Sequence, residues 1–361
     1  MNKEKVNCFG FLTLIVALSG AAFYGVFSSY MISYAKTASI ISMVIGFVIS
    51  LIISKILITF FKQKENLSFV NKIKYIYGKF SIVINILLII CSLFMYILFT
   101  YRLTSFLSSQ YLIEMSQIFL LIMILFITYY IASKGLETTT RVSTISFFLG
   151  TFIYIFDATS LMKQIDFDNY LPLITVDTNN ILLTSIMFAL YFSVPIFYLN
   201  IASFNQITNK EKFNKIFYII LIISFMMPLI SLITTIGVSG INVISLFDYP
   251  LYTILKKINL FTFLDSIENV SIMLWILYII NASSAILLFI YNSVKETFNI
   301  KKKNSNIIFV IILLISFLIP KIFLINNTFM ETFKYIYIPI IIASIILLIN
   351  IISLIIIKKK S

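Results

Sequence analysis

The sequence predicts an all-α integral membrane protein of about ten transmembrane helices, and three observations predict it. Apolar residues fill 60% of the 361 positions and charged residues only 11%, against about half and a quarter in soluble chains. The mean hydropathy is +1.05. Ten apolar runs recur along the chain, each long enough to cross roughly 30 Å of hydrocarbon at about 1.5 Å per residue.

The runs follow in order, most of them bounded by basic residues. Phe9–Tyr34 follows Lys3 and Lys5, and Thr37–Phe61 ends at Lys62 and Lys64. Phe80–Phe106 begins after Lys79, Met115–Ile131 ends before Lys134, and Val142–Met162 lies between Arg141 and Lys163. Ile181–Phe204 follows the longer connection Lys163–Asn180, and Phe213–Gly237 follows Lys210 and Lys212. Ser271–Val294 follows the other long connection, Val238–Val270. Ile307–Ile325 comes after Lys301–Lys303, and Phe333–Ile357 ends at Lys358–Lys360. No stretch is rich enough in Pro, Gly or Ser to serve as an interdomain linker, so residues 1–361 read as a single transmembrane domain.

Lys and Arg set the orientation. With the N-terminus cytoplasmic, 19 of the 27 basic residues fall on inner segments and 7 on outer ones, with Lys55 inside the second run. Both termini are then inside. The net charge of +13 reads as a basic cytoplasmic face against anionic lipid, with no call for nucleic acid. A cleaved signal peptide is the rival reading of residues 1–22, since Ser19-Gly20-Ala21-Ala22 resembles a cleavage site. Apolar sequence resumes at Phe23, however, and cleavage would spoil the charge pattern.

Two runs carry helix-breaking residues near their middles. The first has Ser19-Gly20-Ala21-Ala22, Tyr24 and Gly25; the sixth has Tyr191-Phe192-Ser193-Val194-Pro195. Irregular backbone is tolerated in a membrane only beside protein or a cavity. Breaks at equivalent places in two five-helix halves mark a 5+5 inverted-repeat transporter-like fold with helices 1 and 6 broken, and with the ligand site between the breaks. The expected substrate-binding set is Gly20, Ala21, Ala22, Tyr24, Gly25, Tyr191, Ser193 and Pro195, joined by Tyr96 of the third run and by Asn281 and Ser284 of the eighth. The plainer alternatives are close helix packing by small residues and a proline kink.

Asp157 is the one carboxylate inside a run. It lies about 24 Å beyond Arg141 along a helix, in the outer third. An outer-rim ion pair with Arg102, or a solvated interfacial carboxylate, fits that depth better than a proton relay. Histidine is absent, and no span pairs two acids. There is no Gly-rich phosphate loop, and Cys8 and Cys91 are too few for a disulfide framework. These absences argue against an enzyme, a metal site or a cofactor.

Three further stretches stand out: Ala132-Ser133-Lys134-Gly135-Leu136-Glu137 with Arg141; Ile165-Asp166-Phe167-Asp168-Asn169-Tyr170-Leu171-Pro172-Leu173; and the run from Pro250 through Ile258, Phe263 and Asp265-Ser266-Ile267-Glu268 to Trp275. Together they resemble the spore germination permease family, the B-type subunit of germinant receptors within the amino acid/polyamine/organocation transporter superfamily. The resemblance implies a subunit of the spore inner membrane that binds a small nutrient germinant, often an amino acid. It implies A-type and C-type partner subunits as well. Relatives often carry Gly then a carboxylate where Ser193-Val194-Pro195 stand, so a neutral or zwitterionic ligand is expected at the breaks here. An ion-coupled amino-acid transporter and a channel-forming or structural subunit are the competing readings.

Overall fold

The computed structural model describes residues 4–23, 27–174, 176–247, 249–257, 268–301, 305–323 and 337–360. Tyr24, Gly25, the stretch from Ile258 to Ile267 and the ends of the ninth and tenth runs facing each other lie outside them. Helix dominates, because only helices or closed barrels satisfy backbone polar groups in hydrocarbon. Among the described residues, seven helical stretches are long and apolar enough to span a bilayer, and three shorter apolar ones accompany them.

The first span comes in pieces: α1 (Cys8–Leu12), α2 (Leu14–Ala22) and α3 (Ser28–Ala35). A turn at Lys36–Ala38 leads into α4 (Ser39–Lys62). The short amphipathic α5 (Phe69–Tyr77) precedes the third span, α6 (Ser81–Phe106). Then come α7 (Gln117–Ser133), α8 (Leu136–Met162), α9 (Thr178–Phe197) and α10 (Phe213–Ile244). The short α11 (Pro250–Leu255) is followed by α12 (Glu268–Thr297), α13 (Ser305–Phe323) and α14 (Tyr337–Lys360). Each of the ten predicted runs has its counterpart. Phe126, Phe152 and Ile155 on α7 and α8 are well exposed, as side chains facing lipid should be. Cys8–Ala22, the stretch a signal peptide would remove, is largely buried against α8, α10 and α12.

The core forms where α12 packs on α2, α6, α7 and α8. Its Asn281-Ala282-Ser283-Ser284-Ala285 stretch is almost wholly buried, and such small side chains let helix backbones approach closely. α4 crosses α9 just as tightly: a Cβ on Gly46 would stand 2.5 Å from the Ser185 carbonyl oxygen.

One sequence expectation shifts. α9 runs unbroken through Ser193-Val194-Pro195 to Phe197, and its irregular part follows as a tight turn at Tyr198–Ile201 with extended backbone at Ala202. Proline near a helix end removes one backbone donor and bends the axis without stopping the helix when neighbours fill the gap.

Two of the motif stretches act as structural locks. Gly135 takes φ +92°, and a Cβ there would meet the Glu4 carboxylate at 2.5 Å. That carboxylate accepts the Glu137 backbone N–H at 3.1 Å, at the N-terminus of α8 where negative charge is favoured. Next to it, Val6–Asn7 pairs in parallel with Ile207–Thr208, and Gln206 donates to the Glu4 carbonyl (3.2 Å). The chain before the first span is thereby tied to the chain after the sixth. On the other side, Asn169 donates to the Gly237 carbonyl (2.8 Å) and Tyr170 to that of Ile233 (3.0 Å). This docks the α8–α9 connection on α10, which turns at Gly240 with φ +69°. Burial pushes the Tyr170 phenol above its ordinary pKa, so this donor stays protonated at physiological pH. Thr37 fastens the same connection through the Pro172 carbonyl (2.8 Å).

Candidate functional site

α2 ends at Ala22 and α3 begins at Ser28, with the helical residues Phe23 and Phe27 on either side of residues 24–26, which lie outside the described ones. The Phe23 backbone N–H bonds back to the Ser19 and Gly20 carbonyls. Against Ala22 and Phe27 stands Tyr191 of α9. Its ring stacks on Phe27, with centroids 4.4 Å apart and planes 15° apart. Its hydroxyl donates to the Ala22 carbonyl at 3.3 Å. Pro195 lies one turn further on.

Two small apolar cavities flank this contact, and Ala22, Tyr191 and Pro195 line both. One extends to Leu18, Met95 and Phe99 and measures about 10 Å³. The other extends to Phe188 and Pro228 and is equally small, about 10 Å³. That is about enough for one water molecule, so a ligand can enter only if the first and sixth spans move apart.

The remaining predicted residues go elsewhere. Gly20 is a packing position, where a Cβ would come 2.8 Å from the Tyr278 ring. Ala21 is buried within α2. Tyr96 turns to α7 and shares a 2.7 Å hydrogen bond with Thr128; Met95 and Phe99, four residues apart on the adjoining face of α6, line the cavity instead. Ser193 and Ser284 bond back to their own helices, at Leu190 (2.6 Å) and Ile280 (2.7 Å). Asn281, with its amide oriented to satisfy both ends, bridges α12 to α8. It donates to the Thr139 carbonyl and accepts from the Ser143 N–H, each at 3.2 Å. Tyr24 and Gly25 fall outside the described residues.

Arg102 and Asp157 do not pair. The Arg102 guanidinium stands 5.9 Å from the centre of the Tyr249 ring, while Asp157 faces a different space together with Ser271. That space is a cavity of about 50 Å³ in the outer half, walled by Phe106, Tyr154, Tyr252, Trp275 and Tyr278. Phe106 packs edge-on against Trp275, with centroids 4.7 Å apart. Gly150 gives the Tyr278 hydroxyl its room, since any Cβ there would overlap it. Sequence reasoning missed this cavity. Its signals were a lone glycine in the middle of the fifth run and the aromatic residues of the α11–α12 region.

The model of the family described as Spore germination protein matches residues 6–323. The chain belongs to that family. A search of curated proteins by sequence found no match. Among solved structures, the permease is similar to MhsT in complex with L-phenylalanine, at 13% identity over 97% of this chain and 88% of that one, with TM-score 0.62. A substrate-bound, outward-open Na+-coupled sialic acid symporter matches at 13% identity over 95% and 77% of the two chains, TM-score 0.63. A mutant of the manganese transporter from Eremococcus coleocola matches at 10% identity over 98% and 80%, TM-score 0.58. At such identities the likeness is one of fold. The spore germination permease thus has the all-α membrane transporter fold expected of its sequence. It is a multi-pass membrane protein of a permease family, a transporter or receptor rather than an enzyme.

Proposed function

We propose that this permease is the nutrient-binding membrane subunit of a germinant receptor in the spore inner membrane. It takes a small neutral ligand, best a neutral amino acid, between the first and sixth spans at Ala22, Tyr191 and Pro195, with Gly25 part of the same site. The observation that supports this is the Tyr191–Ala22 contact, a side-chain clasp from α9 to the end of α2. The L-phenylalanine bound to MhsT favours an amino acid.

The clasp also supports a signalling role. A ligand that enters must part the two spans, so its binding energy shifts the balance between closed and parted arrangements. A-type and C-type subunits would read that shift. Transport is the second reading, favoured by the Na+-coupled symporter with the same fold.

The test uses purified permease in proteoliposomes and a panel of labelled amino acids, with proton and sodium gradients applied separately. Saturable binding by calorimetry without accumulation is expected; gradient-driven accumulation would make it a transporter. Tyr191→Phe removes the hydrogen bond that holds the two spans closed, so it should tighten binding about 2- to 10-fold, the worth of one hydrogen bond, while keeping the stack on Phe27.

A further inference from the structure

The outer cavity plays no part in that reading, and its chemistry is unlike that of the closed space beside Tyr191. Its walls are aromatic: Phe106, Tyr154, Tyr252, Trp275 and Tyr278. Into it face polar atoms that have no hydrogen-bond partner among the described residues: Asp157 Oδ1, Trp275 Nε1 and the Tyr278 hydroxyl. Tyr278 is 2% exposed and Trp275 7%, while Asp157 is half-buried, so water does not freely compensate the first two. Orphaned polar groups are expensive at membrane depth, and here they converge on one space.

The combination selects a ligand class. A carboxylate beside aromatic faces attracts an organic ammonium, which sheds water more readily than a metal ion and gains from the ring quadrupoles, most of all that of Trp. No group of three or more His, Cys, Asp or Glu stands together among the described residues, and hard metal ions need six or more oxygens. Polyamines are disfavoured as well, because Arg102 stands over the Tyr249 ring and Lys256 over the Tyr252 ring at 4.2 Å. A second positive charge would meet those two. The volume of about 50 Å³ holds only a few heavy atoms.

We infer that the cavity beneath α11 is a binding site for a small organic compound carrying one ammonium group, which Asp157 accepts and Trp275 faces. The source is a simple amine or the ammonium end of a small amino acid. This site is separate from the Tyr191 site and stands whether or not that one binds nutrient.

Trp275 is the only tryptophan in the chain, so its fluorescence reports from the wall of this cavity. The permease in nanodiscs is titrated with methylammonium chloride, glycine and sodium chloride at matched ionic strength. The expected result is a saturable change in emission with methylammonium that sodium chloride does not reproduce. Asp157→Asn should weaken it at least tenfold, Tyr252→Leu about two- to fivefold, and Glu137→Gln, at the inner end, should leave it unchanged. A stronger response to glycine than to methylammonium assigns the site to the amino-acid ammonium; the reverse assigns it to amines. Unfolded Asp157→Asn protein is replaced by Asp157→Glu, which should retain the response while Tyr252→Leu weakens it. An equal response to sodium, a response to pH alone, or variants that bind like the parent would overturn the assignment.

Discussion

At the inner end of the molecule the helices are laced together by polar contacts between distant segments. Glu4 reaches Gly135 and Glu137, Val6–Asn7 pairs with Ile207–Thr208, and Lys210 forms an ion pair with Glu65 at 2.7 Å. Lys62 donates to Asn214, and Ser68 to Glu296. At the outer end the connections are also docked, yet beneath α11 the polar atoms of Asp157, Trp275 and Tyr278 are left facing a cavity. Polar groups satisfied by one another close a passage, whereas convergent unsatisfied ones invite a ligand.

Tyr278 connects the two regimes. One edge of its ring lies on Gly20 of α2, and its hydroxyl reaches past Gly150 into the outer cavity. Movement of the first span relative to α12 must therefore move, or be resisted by, a wall of that cavity.

The comparison can be tested by substitutions at each end, with stability followed by thermal unfolding in nanodiscs. Gly150→Ala should be the most damaging, at about 2–3 kcal/mol of overpacking, because its Cβ would overlap the Tyr278 hydroxyl. A silent Gly150→Ala would mean that Tyr278 swings freely and that the outer wall is soft. Gly135→Ala at the inner end should cost about 1–3 kcal/mol, through its positive φ and the clash with Glu4. If it also opened the inner face, ligand would leak through to the vesicle lumen. Asn281→Leu should cost about 1 kcal/mol, the usual worth of an interhelical hydrogen bond in a membrane, and leave nutrient binding unchanged. A complete loss of binding would return Asn281 to the ligand site. Glu137→Gln, which breaks a solvated pair with Arg141 whose side chains are 50% and 75% exposed, should cost less than about 0.5 kcal/mol.

How much of this was legible in the sequence differs from element to element. The spans were, because hydrocarbon allows a crossing segment little choice of residue or backbone. The break expected of the first span falls beside Tyr24 and Gly25, outside the described residues. That of the sixth was placed too early at Ser193-Val194-Pro195, because a proline shows where a hydrogen bond is missing and not whether the helix stops there. Tyr96, Asn281 and Ser284 look like site residues in one dimension. Each proved to bond to a helix wall, since a buried polar side chain takes the nearest backbone or hydroxyl partner. The Arg102–Asp157 pair failed for a related reason: similar depth in the membrane does not bring two side chains to the same face.

The sequence by itself determined that the chain lives in a bilayer, which residues cross it, which face is basic, and to which family it belongs. All of these follow from composition and local pattern, because the free energy of transfer into lipid is set residue by residue. Only the tertiary structure decided that Tyr191 clasps Ala22, that Glu4 needs Gly135, and that Tyr278 threads between Gly20 and Gly150. Those contacts join segments far apart in the chain, and their energies depend on distances of a few tenths of an ångström that no local pattern encodes.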